Sequence, residues 1–279
     1  MTRISDPAFR LRDQHVAPSF PEEVKLGYHL GSSKPTLKLS DYLDTATAQP
    51  PAAVSRAHPG FAWGMLMNDT LGDCVCAMIL HAIEDFHLDA GTAPPAFTNA
   101  DATLLYEKIG GYVPSDPSSD QGCDETVAMT DWQAGLPKTS DGVVHKIVGT
   151  VAIDPTKLTE VRIGIDEFVD VMMGDAMPLS AQGQTEWTVV GDGQSGNSAP
   201  GSWGGHGTPA NSYDPDTMGL ITWGAPLLCT VPFWLAYVQE AHVVVTQEML
   251  SKTGVGASGV QWDDLVADLK AQFVAVPTS

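Results

Sequence analysis

Two residues of this 279-residue chain, Cys74 and His206, have the types and settings that covalent chemistry needs. Cys74 follows Gly72-Asp73 and opens the run CVCAMILHAIEDFHL, which holds no Gly or Pro and is apolar nearly all round in its first ten residues. That pattern predicts a buried helix from Cys74 to Leu88, with Asp69, Thr70 and Asp73 suited to its N-terminus. A thiol there meets unsatisfied N–H groups and the positive end of the helix dipole, which favour the thiolate relative to a free cysteine of pKa about 8.5. The nucleophile also needs a base that is near in space and not in sequence. His206 lies in SWGGHGTPANSYD, where Gly204 and Gly205 leave room beside it and the following residues read as a strand ending at Tyr213-Asp214.

Other constellations carry less. Gly191-Asp-Gly193-Gln-Ser-Gly196 matches a phosphate-cradling glycine pattern, yet Pro200 and Gly201 argue against the helix that would follow it, so it reads as a flexible loop. Cys74, Cys76, His81, Glu84 and His87 do not have a metal-ligand spacing, and steps of three residues drift off one helix face. No metal and no organic cofactor is expected. His81 is one helical heptad from Cys74, about 10 Å along the axis at roughly 1.5 Å per residue, too far to be its base. It reads as a hydrogen-bonded core histidine. Asn68-Asp-Thr70 is a glycosylation sequon of consequence only in a secreted chain. Trp203 and Trp223 flank the histidine strand and are expected to pack between lobes, with shielding of His206 as a second role.

The elements that position the pair divide the chain. Residues 1–57, rich in Pro, Ser, Thr and charge, read as an extended arm, without the strong helical pattern that would favour a zymogen-type cover. A helical lobe is expected over about 58–145, with a polar loop VPSDPSSDQG and a second helix in ETVAMTDWQAGL; a third helix is expected beyond it, over 158–173. A β-rich lobe over about 146–279 contains the short β-branched segments GTVAI, EWTVV, GLITW, PLLCTV and HVVVT, and a closing helix near 262–273. Helices first and strands afterwards give an α+β chain of two lobes.

Charge narrows the partners. The formal balance of 14 − 34 = −20, with scattered Lys and Arg, leaves no basic stripe for nucleic acid and disfavours anionic membrane surfaces. No apolar run reaches a membrane span and no secretory signal is read at the N-terminus, so a cytoplasmic or virion-associated, acidic protein is expected. Four cysteines (Cys74, Cys76, Cys123, Cys229) are too few for a disulfide scaffold and fit a reducing compartment.

Several motifs in order resemble the papain-like cysteine peptidases. Pro51-Ala-Ala-Val54 is similar to the start of the family's mature domain, with Val54 twenty residues before Cys74; Gly72-Asp73-Cys74 is similar to its active turn, and Asn68 occupies the position of its oxyanion-binding Gln. His206, Tyr213 and Thr222-Trp223-Gly224 follow the order of its histidine strand and Ser-Trp-Gly, and Gly122-Cys123 with AMTDWQAGL resembles the border of its substrate cleft. The resemblance covers about residues 51–224. It implies a two-lobed fold, a Cys74–His206 pair acting on amide or peptide bonds, and Asn68 with the Cys74 backbone N–H holding the oxyanion. The chain departs from the family at Ile221, which stands where the histidine-orienting Asn would, so Thr222 or Asp214 is expected to take that role. Val75 replaces the aromatic after the nucleophile, and Leu71 the usual disulfide cysteine. The wording of WGMLMND, LGDC, GGH and TWG also resembles bacteriophage and bacterial proteins of poorly known function. That implies an alternative in which a catalytically weak or inactive fold serves as a structural or binding protein of a virion, its arm strapping a second copy or another phage structural protein.

Overall fold

A computed structural model describes residues 1–275 apart from 22, 23, 33–36, 45, 57 and 59. The run opening at Cys74 forms helix α1 (Cys74–Asp89), buried from Cys74 through Asp85 because its apolar side chains leave no polar face to turn outward. Asp73 occupies its N-cap position without making a side-chain capping bond, unlike the capping expected from sequence. Around α1 pack α2 (Asn99–Ile109) and α3 (Glu125–Ala134), which share a core built on Met78, Leu105 and Trp132. Helix α2 goes beyond the sequence reading, which placed no helix there; its signal was the capping box in which Thr98 and Asp101 satisfy each other's backbone N–H. The third predicted helix is shorter than 158–173. Helix α4 (Leu158–Phe168) stops at Val169, whose φ of 78° leaves the helical region. Two more helices, α5 (Val231–Tyr237) and α6 (Trp262–Ala275), follow; none in the described chain is long and apolar enough to cross a membrane.

Eleven strands occur among the described residues: β1 (Thr2–Ile4), β2 (Tyr28–His29), β3 (Ala53–Ser55), β4 (Cys123–Asp124), β5 (Gly149–Ile153), β6 (Val171–Met177), β7 (Glu186–Trp187), β8 (Gly204–Tyr213), β9 (Thr217–Thr222), β10 (Ala225–Thr230) and β11 (Val238–Val245). The main sheet runs β5-β11-β6-β8-β9-β10-β7, antiparallel except at β10–β7. Strand β6, read in sequence as the tail of a helix, is buried at every position, so it shows no alternation of apolar and polar residues. Segment EWTVV contributes only the two residues of β7.

The described part of residues 1–56 lies against its own chain. Strand β1 pairs with β3, which joins β8 at Val54 and Tyr213, while Arg3 reaches Asp166 at 2.7 Å. Strand β2 pairs in parallel with β4 in a separate two-stranded sheet. Helix α1 packs across β8, so the helix that begins at Cys74 and the strand that carries His206 meet at the junction of two cores, one helical and one formed by the sheet with Met173, Trp187, Trp223 and Phe233. The molecule is α+β and two-lobed.

Candidate active site

Cys74 begins α1 at the floor of the junction and is 1% exposed. Its thiol faces the backbone N–H groups of Gly207 and Gly27. Those donors favour a thiolate, but burial outweighs them and pushes the thiol well above its ordinary value. The helix terminus therefore prepares an anion that exclusion of water suppresses.

His206, on β8, is fully buried. Nε2 lies 2.7 Å from the Thr222 hydroxyl, and Nδ1 has no hydrogen-bond partner among the described residues. Trp223 stacks on the ring at 4.6 Å, and Trp203 tilts against Trp223 at 5.9 Å. Both tryptophans thus pack with the sheet core rather than between lobes. Burial pushes His206 down to about 3, so the imidazole is neutral at ordinary pH. Trp223 and Gly224 form the two-residue turn between β9 and β10 with φ of 46° and 73°. Such turns favour Asn-Gly, and a tryptophan held in the left-handed region costs roughly 1–2 kcal/mol.

Asn68 is buried, and its Nδ2 is 3.4 Å from the Asp73 carboxyl oxygen. The turn that delivers it contains Leu66 and Met67, both at positive φ. Asp214 is not the orienting group: its carboxylate accepts from the backbone N–H of Leu11, Asp216 and Thr217, bonds that hold the β8–β9 turn and the arm. Thr222 is the hydroxyl that meets the imidazole. His81 donates from Nε2 to the Gly64 carbonyl at 2.8 Å, with burial lowering its pKa to about 4.

Groups absent from the sequence reading surround the pair. Asp120 accepts from Gly72 N–H at 2.9 Å and from the Tyr106 hydroxyl, which in turn accepts from Gly122 N–H, so the turn before Cys74 is tied to α2 and to Gly122. Asp175 stands across from His206 in the β6–β8 ladder, and burial holds its carboxyl well above the usual range. These residues lie far from Cys74 in sequence and follow no spacing rule.

A further surprise is the arm. Residues 25–29, which end in β2, pass over Cys74, with the Gly27 N–H turned to its thiol. Lys25 N–H donates to the Asn68 carbonyl (3.3 Å), and Gly27 carbonyl accepts from Cys123 N–H (2.7 Å). The passage fits only because glycines line it: a Cβ on Gly27 would sit 1.8 Å from the Gly72 carbonyl oxygen, and one on Gly205 2.3 Å from the Tyr28 carbonyl oxygen. Phe20 adds an edge contact on Trp223. The absence of a helical pattern argued against a cover; the cover is a non-helical segment that ends in β2 and bonds to backbone groups of Asn68 and Cys123. A separate cavity of about 700 Å³ opens beside Arg56, Asp89, Asp166 and Lys252.

No protein-family model matches the chain, and no curated protein does. Solved structures do. The cysteine protease and lectin-like domains of Cwp84, a surface layer associated protein of Clostridium difficile, superpose with a TM-score of 0.54 at 10% identity, over 80% of this chain and 56% of that one. Xylellain, a cysteine protease from Xylella fastidiosa, gives 0.49 at 13% identity over 83% and 99%. The Carica candamarcensis cysteine protease CMS1MS2, solved in complex with E-64, gives 0.47 at 11% identity over 70% and 99%. The fold is that of the papain-like cysteine proteases; at such identities the likeness concerns the fold alone.

Proposed function

We propose that this chain is a thiol hydrolase acting on amide or peptide bonds, with Cys74 as nucleophile and His206 as its acid–base partner. The observation that carries the reading is the placement of the Cys74 thiol at the N-terminus of a buried helix beside the strand bearing His206, whose ring is fixed by Thr222 at Nε2 while Nδ1 is left without a partner. With the arm in place both groups are dry and neutral, a resting state. Displacement of residues 25–29 admits water and substrate, and the cost of charging both groups falls. The proton passes from Sγ to the imidazole, the thiolate adds to the carbonyl carbon, and the oxyanion meets the Cys74 backbone N–H and Asn68. The imidazolium then gives its proton to the departing amine, and water, deprotonated by the neutral imidazole, releases the acid and restores the thiol.

The test is labelling joined to hydrolysis. The intact chain should alkylate slowly at Cys74 with iodoacetamide, and a chain whose arm has been loosened should alkylate there faster than at Cys76, Cys123 or Cys229. It should also cleave a mixed peptide library, with that cleavage lost in Cys74→Ala. Uniformly sluggish cysteines in the loosened chain, together with unchanged cleavage in Cys74→Ala, would refute the assignment.

A further inference from the structure

We propose that the pocket floored by Gly174 and Gly205 and closed by Glu240 is a binding site for a tyrosine side chain, with Glu240 reading the phenolic hydroxyl and Tyr28 of the arm as resident occupant. Only the consequence rests on the hydrolase reading: a substrate peptide is selected through a tyrosine seated beside Cys74.

Tyr28 is 5% exposed and belongs to the buried core formed around α1. Its ring lies flat on strand backbone, since a Cβ on Gly174 would be 2.1 Å from ring carbons and one on Gly205 2.8 Å from the ring edge. Glycine within a strand interior weakens the strand unless something approaches closely, and here an aromatic ring does. The hydroxyl donates to Glu240 Oε1 at 2.9 Å, the oxygen that also accepts Gly31 N–H at 3.0 Å.

Behind Glu240 the lining stays rich in acceptors. Glu125 is buried and lies 3.3 Å from His242 Nε2, and the charges of Glu125 and Glu240 both bear on the phenol. Burial, then the neighbouring Glu240 charge, keeps the Glu125 carboxyl well above the usual range, while burial holds His242 down to about 4 and therefore neutral. A side chain ending in a donor fits this base; one ending in carboxylate or phosphate would be repelled. The flat glycine floor suits a ring over a flexible aliphatic chain, and phenylalanine would leave the Glu240 oxygen short of one donor. The neighbouring backbone fixes the register, because Gly27 holds Cys123 N–H through its carbonyl and presents its own N–H to the Cys74 thiol.

The decisive measurement is fluorescence anisotropy with a labelled eight-residue peptide copying arm residues 24–31, VKLGYHLG, and its phenylalanine counterpart VKLGFHLG. Full-length chain carrying Tyr28→Ala and Cys74→Ala presents an emptied pocket and cannot cleave the probe. The tyrosine peptide should bind about tenfold or more tightly than the phenylalanine peptide, as expected for a hydroxyl whose partner is otherwise unmet. Adding Glu240→Ala should bring the ratio close to one. Equal binding of the two peptides to the folded Tyr28→Ala chain, or binding of neither, would overturn the proposal, as would a tyrosine preference that survives Glu240→Ala. Because cleavage plays no part, tyrosine-selective binding beside an inert Cys74 would keep the pocket and discard the hydrolase reading. Tyr28→Phe in the otherwise unaltered chain gives an independent check: Cys74 alkylation should rise several-fold.

Discussion

At the residue scale the pair is governed by water more than by distance along the chain. Cys74 has two backbone donors and a helix terminus in its favour, yet burial dominates, and His206 is neutral for the same reason. Thr222 holds the imidazole where Ile221, its neighbour, has no polar atom. Thr222→Val keeps the shape and removes the hydroxyl; loss of one neutral hydrogen bond of about 1–1.5 kcal/mol predicts roughly a tenfold fall in kcat of the proposed hydrolysis. Thr222→Ser should restore most of it, which a purely steric role would not. Both are read from initial rates on a peptide that the arm-loosened chain cleaves. Thr222→Val at full rate would remove the hydroxyl from the mechanism.

At the element scale the controlling piece is the segment 25–29, whose β2 pairs with β4 on one side and lies close against Gly205 of β8 on the other. Gly27→Ala places a methyl against the Gly72 carbonyl, and overpacking of this kind costs roughly 1–3 kcal/mol. The arm is easier to move than the α1 turn, which Asp120 ties down. The expected result is an arm that leaves the groove about tenfold or more often, seen as faster Cys74 alkylation by peptide mapping and as new proteolytic cuts in residues 20–32. Unchanged alkylation would mean that the groove walls yield and the arm stays. Arg56 anchors the other end of the arm: its buried guanidinium bonds Asp89 at 2.9 Å and the carbonyls of Ile165 and Asn211. Arg56→Met removes the donor from both carbonyls and leaves Asp89 with the N-terminal ammonium, 3.2 Å away, as its remaining ion pair, predicting a loss of about 2–3 kcal/mol and a fall in Tm of roughly 5–10 °C by calorimetry.

At the scale of the whole molecule, buried titratable groups set the pH dependence of stability. Burial lowers the pKa of His15, His81, His206 and His242, so the unfolded chain binds more protons at these sites below its own histidine value of about 6.5, and they favour stability that grows with pH up to that point. Asp73, Glu84, Glu125, Asp170 and Asp175 are raised by burial, Glu84 to about 8, so the folded chain holds protons that the unfolded one has released above about pH 4.5. Five acids against four histidines nearly cancel between about pH 5 and 6.5. Above 6.5 the histidine contribution is constant and the acids alone act, so stability falls as pH rises. Thermal unfolding should give a higher Tm at pH 6 than at pH 8; the reverse order would show that these carboxyls are ionised in the folded chain.

Sequence pattern alone specifies the helix that opens on Cys74, the strand that carries His206 and the α+β class, because an all-apolar run and short β-branched segments between turn residues are local signals of backbone state. It missed β6, buried on both faces and so without alternation, and it ran α4 on past Val169, where a single φ ended the helix. Tertiary structure alone decided which oxygen meets the imidazole, that Asp214 is committed to a turn, and that Gly27 and Tyr28 lie over a cysteine some fifty residues away. Those outcomes depend on close approach of backbones and on exclusion of water. Neither leaves a period in the sequence, and in this chain both decide whether the thiol is an anion.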